Sequence, residues 1–284
     1  MDSKMMIGNL KLENPYFLAP MAGVNDIAFR ILCRKAGAGL VYTGMINPLS
    51  PMKLDLDDKP AIQIFSANEK GIKEFITKHE EDAKLFDFNL GCSKSLARQH
   101  GFGAFLQNKK ENIEGILGAM RGSTKKPITI KLRKSNEISK TIKIAEKYCD
   151  AICIHPRTIA QGYSGKAGVS FAEKLKKETS LPIIYSGDVN EKNAPELLKK
   201  FDFIMIGREA MGYPNIFAKL TETNEEFGFK DYLALAAKYK IGFAQIKFQA
   251  IHFTKFMIGG SELRLKLSKT KRLKDIEGIY RKID

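Results

Sequence analysis

Cysteine is scarce in this 284-residue chain, and its four copies (Cys33, Cys92, Cys149 and Cys153) form no Cys-x-x-Cys pair. That spacing argues against zinc, and a chain long enough to bury a sizeable core needs no disulfide framework. Long apolar runs are missing too. No stretch approaches the ~18–20 apolar residues of a membrane span, and the opening MDSKMMIGNLKLENP lacks the apolar block of a secretory signal. These absences lead us to expect a cytoplasmic, monomeric protein with no membrane or metal partner. The first strand-like run ends in APMAGVND rather than Gly-x-Gly-x-x-Gly, which argues against a dinucleotide-binding open sheet. There is also no internal repeat, low-complexity segment or Ser/Pro-rich linker.

What is present in excess is positive charge, a formal +15 at pH 7. Such a surplus favours a polyanionic partner, because each neutralised phosphate releases condensed counterions. The excess is densest at the end: residues 230–284 carry 13 Lys/Arg against 5 Asp/Glu, a net +8.

Eight short apolar runs recur through the first three quarters of the chain: 16–19, 40–43, 61–65, 85–89, 127–132, 151–154, 182–185 and 203–206. Helix-like stretches lie between them, at 27–35, 72–79, 112–120, 139–147, 171–178 and 194–201, with Gly, Pro, Asn and Asp at their ends. Strand and helix in alternation imply parallel strands, and eight of them imply a (β/α)₈ barrel. From about Lys230 the apolar residues fall at helical spacing only. We therefore expect a barrel over residues 1–225 followed by a small basic helical domain over 226–284.

Barrels of this kind place functional groups at the C-terminal ends of their strands. The first run ends in Pro20-Met21-Ala22-Gly23, the third carries Gln63, and the fourth ends in Asn89 with Cys92 beyond it. The fifth carries Lys131 and Arg133 on the face opposite Ile128, Ile130 and Leu132, and two cations there need an anionic or electron-rich partner. The sixth ends in His155-Pro156-Arg157-Thr158, and its histidine alone of the four stands at a strand end. The last two finish in glycine turns, Ser186-Gly187-Asp188 and Gly207-Arg208, where backbone amides and an arginine fork can approach a phosphate. Cys92, in a loop with Lys94 and Arg98, suits either a nucleophile or a general acid, whereas the other three cysteines read as packing residues. His100 on the same loop is a weaker candidate for substrate contact.

Taken in order, APMAG (19–23), NLGC (89–92), GFGAFL (101–106), KLR (131–133), HPRT (155–158), SGD (186–188) and GR (207–208) make the chain similar to the tRNA-dihydrouridine synthases. That resemblance implies an FMN-containing (β/α)₈ barrel with a helical C-terminal domain. It implies that Pro20, Met21, Ala22, Gln63, Lys131, His155, Ser186, Gly187, Asp188, Gly207 and Arg208 hold the flavin. It also implies that Cys92 is the catalytic acid, that Asn89 contacts the uracil, that tRNA is the substrate and that NADPH or NADH is the reductant. Arg133 and Arg157 join the expected substrate contacts. The chain departs from the family pattern at Ser93, usually proline, at Pro156, often glycine, and at Ser186, commonly asparagine. Two rival readings are a free-pyrimidine flavoenzyme of the dihydroorotate dehydrogenase kind and a catalytically idle RNA-binding barrel.

Overall fold

The computed structural model describes residues 5–283. The chain opens in an antiparallel hairpin, β1 (Met6–Ile7) and β2 (Leu10–Lys11), which sequence periodicity cannot register because each strand is two residues long. There follow β3 (Tyr16–Leu18), α1 (Ile27–Lys35), β4 (Leu40–Val41), β5 (Ala61–Ile64), α2 (Ile72–Lys78) and β6 (Leu85–Leu90). After β6 come α3 (Ser95–His100), a 3₁₀ turn at Gly103–Leu106, α4 (Lys110–Ser123), β7 (Ile128–Arg133), α5 (Ile138–Tyr148) and β8 (Ala151–His155). The barrel ends with α6 (Val169–Lys176), β9 (Ile183–Ser186), α7 (Ala194–Leu198), β10 (Phe203–Ile206) and α8 (Asn215–Leu220).

Each of the eight apolar runs forms one strand of a single sheet in the order β4-β3-β10-β9-β8-β7-β6-β5, parallel throughout. Parallel bridges from Tyr42 to Ala61 and from Ile46 to Ile64 join the two ends, closing the sheet into the expected (β/α)₈ barrel. Period-two patterning sorts the side chains between two cores. Phe86, Phe88, Ile128, Ile130, Ile152 and Ile154 face outward beneath helices contributing Ile113, Ile116 and Leu117. Phe17, Tyr42, Leu85, Cys153, Phe203 and Met205 fill the barrel, and Ile7 and Leu12 from the hairpin belong to that same interior cluster. A Cβ at Gly8 would lie 2.9 Å from Asp150, just before β8, so the hairpin stoppers the N-terminal end. The C-terminal mouth stays open at the other end of the barrel.

Four helices follow: α9 (Phe229–Lys238), α10 (Phe243–Phe253), α11 (Gly260–Ser268) and α12 (Leu273–Tyr280). Their shared core is aromatic, with Phe229 stacked on Tyr280 at 4.1 Å and edge-on to Phe253, which in turn meets Phe29 of α1. A polar joint reinforces this packing. Asp26 caps α1 by accepting from Phe29 N–H through Oδ1, while its Oδ2 accepts from Tyr232, Gln245 and Gln249. Gln249 and Gln245 also donate to the carbonyls of Val24 and Gly23. On the other side Gly212, at φ +65°, passes so close to α10 that a Cβ would lie 2.1 Å from the His252 carbonyl. The helices are therefore seated directly on the mouth loop that follows β3.

Candidate active site at the barrel mouth

The C-terminal ends of the strands surround a cavity of about 660 Å³, within the usual range for small-molecule sites. Every residue expected to hold the flavin, donate the proton or touch the substrate lines it: Pro20, Met21 and Ala22 after β3, Gln63 on β5, Asn89 and Cys92 around the end of β6, Lys131 and Arg133 on β7. His155 and Arg157 follow from β8, Ser186, Gly187 and Asp188 from β9, and Gly207 and Arg208 from β10. Strands from all around the barrel thus converge on one space. The weaker candidate His100 does not reach it, being exposed at the end of α3.

Cys92 is the one cysteine that is not buried. Its backbone is held on both sides. Its N–H donates to Asn89 Oδ1 at 2.9 Å, and its carbonyl accepts from Ala104 N–H at 2.9 Å. Gly103, at φ +64°, lies beneath it so closely that a Cβ there would stand 2.7 Å from the Cys92 carbonyl oxygen. The GFGAFL segment is therefore the floor on which the thiol loop rests.

Lys131 projects inward between Asn89 and Cys153 of the neighbouring strands and, among the described residues, makes no side-chain hydrogen bond or ion pair. A half-buried ammonium without such a partner in a cavity needs an electron-rich ligand. Among the described residues the N–H groups of Asp188, Gly207 and Arg208 likewise find no acceptor in the protein, as a phosphate cradle requires. The donor set fits a flavin phosphate at one end and a ring edge at the other. The Asp188 carboxylate is already engaged, pairing with Arg157 at 2.5 Å and Arg208 at 2.9 Å, so only its amide is open to an anion.

His155 is kept neutral. Burial, reinforced by the cations Lys131, Arg133, Arg157 and Arg208, pulls its imidazole down to about 2. Its Nε2 sits 3.3 Å from an Arg157 N–H, which must donate, so Nε2 is the acceptor and the proton resides on Nδ1.

The three expected substrate contacts are wholly or partly committed elsewhere. Arg157, 1 % exposed, spends its donors on Asp188, His155 and the carbonyls of Ser164 and Gly165. These bonds clamp the loop after β8 against β9, which leaves Arg157 at the cavity wall with little of its guanidinium open to the expected substrate contact. Arg133 donates to the carbonyls of Gly91, Thr158 and Gly162, leaving part of its guanidinium toward the cavity. Asn89 also has little left to offer. Its Oδ1 accepts from Gly91 and Cys92 N–H, and its Nδ2 donates to Gln63 Oε1, with one hydrogen left toward Met45 Sδ at 3.9 Å.

Sequence reading missed three features. Tyr163 hangs over the mouth, 62 % exposed, with Arg133 and Arg208 on its ring at 5.6 and 5.1 Å. No periodicity marks it, because it lies in an irregular loop. Met45 and Lys94 also line the cavity. Asp87, fully buried one layer below, had a signal: an acidic residue in phase with Asn89 on an otherwise apolar strand.

A protein-family model described as dihydrouridine synthase (Dus) matches residues 17–269. The chain is 31% identical over 242 residues to tRNA-dihydrouridine synthase B of Pseudomonas aeruginosa, covering 77% of this chain and 72% of that one. It is 31% identical over 245 residues to a probable tRNA-dihydrouridine synthase of Rickettsia bellii, covering 78% and 75%. Among solved structures, the crystal structure of TcOYE with pHBA superposes with TM-score 0.54 at 10% identity, covering 83% of this chain and 97% of that one. Morphinone reductase in complex with tetrahydroNAD gives 0.51 at 11%, covering 80% and 92%. These two likenesses concern the barrel alone. With the mouth residues and the family match in agreement over most of its length, the chain belongs to the dihydrouridine synthase family.

Proposed function

We propose that this protein reduces the C5–C6 bond of uridine in tRNA, using FMN held in the mouth cavity and NADPH or NADH as reductant. The observation that carries the reading is that one cavity is lined both by Lys131, which makes no side-chain hydrogen bond or ion pair among the described residues, and by the non-buried Cys92 on its tethered loop. When bound, reduced flavin supplies the hydride that C6 receives. The remaining steps belong to the chain's own side chains and amides.

The thiol of Cys92 gives its proton to C5, and the resulting thiolate recovers a proton from water. Charge developing on the pyrimidine carbonyl is met by the cationic wall formed by Lys131 and Arg133, which is worth more in a partly desolvated cavity than in water. Neutral His155 offers Nδ1–H as a donor without adding charge. The open amides after β9 and β10, with Arg208, hold the cofactor phosphate. Leaving the RNA stack costs the base a few kcal/mol, offset by phosphate contacts on the basic α9–α12 surface.

The purified protein should be yellow, and with NADPH or NADH it should form dihydrouridine in unmodified tRNA but turn over neither free uracil nor orotate. Turnover of the free pyrimidine without RNA would favour a small-molecule reductase. Colourless, inactive protein that still binds tRNA would favour an idle RNA-binding barrel.

A further inference from the structure

A line of polar side chains crosses the barrel interior from β7 through β6 and β5 and back to β6, rising from beneath the cavity to its lining. Thr129 Oγ1 donates to Asp87 Oδ1 at 2.6 Å, and Gln63 Nε2 donates to Asp87 Oδ2 at 2.6 Å. Gln63 Oε1 accepts from Asn89 Nδ2 at 2.8 Å, and Asn89 Oδ1 accepts from the N–H groups of Gly91 and Cys92 at 3.1 and 2.9 Å. Asp87, Gln63, Thr129 and Asn89 are all buried, and of the four only Gln63 and Asn89 also line the cavity.

An amide side chain can face either way, and what surrounds it decides which. Here the direction is imposed from both ends. A carboxylate that can only accept stands at the bottom, and two backbone N–H groups that can only donate stand at the top. Gln63 and Asn89 satisfy both ends in one orientation alone, with the nitrogens toward Asp87 and the oxygens toward the thiol loop. We propose that Asp87 is a positioning residue for the reaction: it sets the orientation of the Gln63 and Asn89 amides and thereby tethers the loop that carries Cys92.

Without the Asp87 acceptor, Gln63 is free to turn. A turned Gln63 sets its NH₂ against the NH₂ of Asn89, and a turned Asn89 sets its own NH₂ against the N–H groups of Gly91 and Cys92. Both bonds from the thiol loop to Asn89 then go, leaving only the Ala104 N–H on the Cys92 carbonyl. Protonation does not interrupt the chain. Burial pushes the Asp87 carboxyl up to about 7, but a proton on Oδ1 can be donated to Thr129 while Oδ2 still accepts from Gln63.

The catalytic consequence rests on the function proposed above, whereas the tether itself does not, and the test separates them. Cys33, Cys149 and Cys153 are buried, so native alkylation by iodoacetamide, located by peptide mass spectrometry, reports Cys92. Asp87→Leu should speed alkylation of Cys92 several-fold. It should also lower kcat for tRNA reduction by on the order of 100-fold, the cost of a small misplacement, with KM for tRNA unchanged. Asp87→Asn should restore both, because its carbonyl can face Gln63 and its NH₂ can face the Thr129 hydroxyl. Unchanged labelling in folded Asp87→Leu protein would overturn the tether. Faster labelling with wild-type kcat would keep the tether and overturn its part in the reaction. If Asp87→Leu does not fold, Gln63→Met decides: it cuts the middle link while leaving the carboxyl on Thr129, and labelling of Cys92 at the wild-type rate in that variant would refute the proposal.

Discussion

The thiol of Cys92 stands at the cavity on a loop held by Asn89 from one side and by the GFGAFL segment from the other. Cys92→Ala removes the proposed proton donor but none of those tethers, so flavin content and tRNA affinity should stay at wild-type values. The rate of dihydrouridine formation should fall by roughly 10²–10⁴, the usual worth of a positioned general acid. Single-turnover kinetics and a binding titration on the same preparation check both halves. His155 carries a second prediction at this scale. Its folded value lies near 2 against an ordinary 6.5, so below about pH 6.5 the unfolded chain takes up a proton that the barrel refuses. The group's contribution to stability is therefore fully present above 6.5 and declines as pH falls toward the folded value. His155→Gln should flatten the decline in stability between about pH 6.5 and pH 5, measurable as a smaller change in the urea midpoint. Residue identities of this kind are legible because strand ends are conspicuous: APMAG, NLGC, KLR, HPRT, SGD and GR each follow or close an apolar run. Their hydrogen-bond commitments are not legible. Nothing in the string HPRT says that Arg157 folds back on Asp188, and nothing in NLGC says that the Asn89 oxygen is consumed by two backbone N–H groups.

Among the elements, the strands were the easiest to read, because a strand buried on both faces keeps its apolar run even when a turn is ambiguous. The helix at 27–35 has the bounds read from its sequence, since Asp26 caps it and a glycine turn ends it. Short elements escaped: the strands of the β1–β2 hairpin, α3 and α8 are each six residues or fewer, less than two helical turns or a single alternation. The 3₁₀ turn at Gly103–Leu106 matters more than its length suggests. Gly103→Ala must both adopt a left-handed φ and place a methyl 2.7 Å from the Cys92 carbonyl. We expect that variant to lose about 1–3 kcal/mol of stability by denaturant titration and to reduce tRNA at least as poorly as it folds. Gly122→Ala is the matched control, in a helix with open space around it, and should behave like the parent.

Across the whole molecule, charge separates the ends of the chain: Lys269, Lys271, Arg272 and Lys274 are all exposed at the turn between α11 and α12, and of the four only Arg272 is paired, with Asp275, among the described residues. Neutralising the four should weaken tRNA binding and flatten its salt dependence, each phosphate left without its cation taking up to ~0.7–0.9 off the log–log slope. An unaltered slope would place the RNA elsewhere. A simpler inheritance follows from Asp26, which a few residues past Pro20, Met21 and Ala22 accepts from three side chains of α9 and α10. The segment that walls the cavity is also the footing of the helices, so the two cannot be inherited separately. A chain cut back before Phe229 would not be a barrel that has merely given up its grip on RNA: it would have a slack rim where its cofactor must sit.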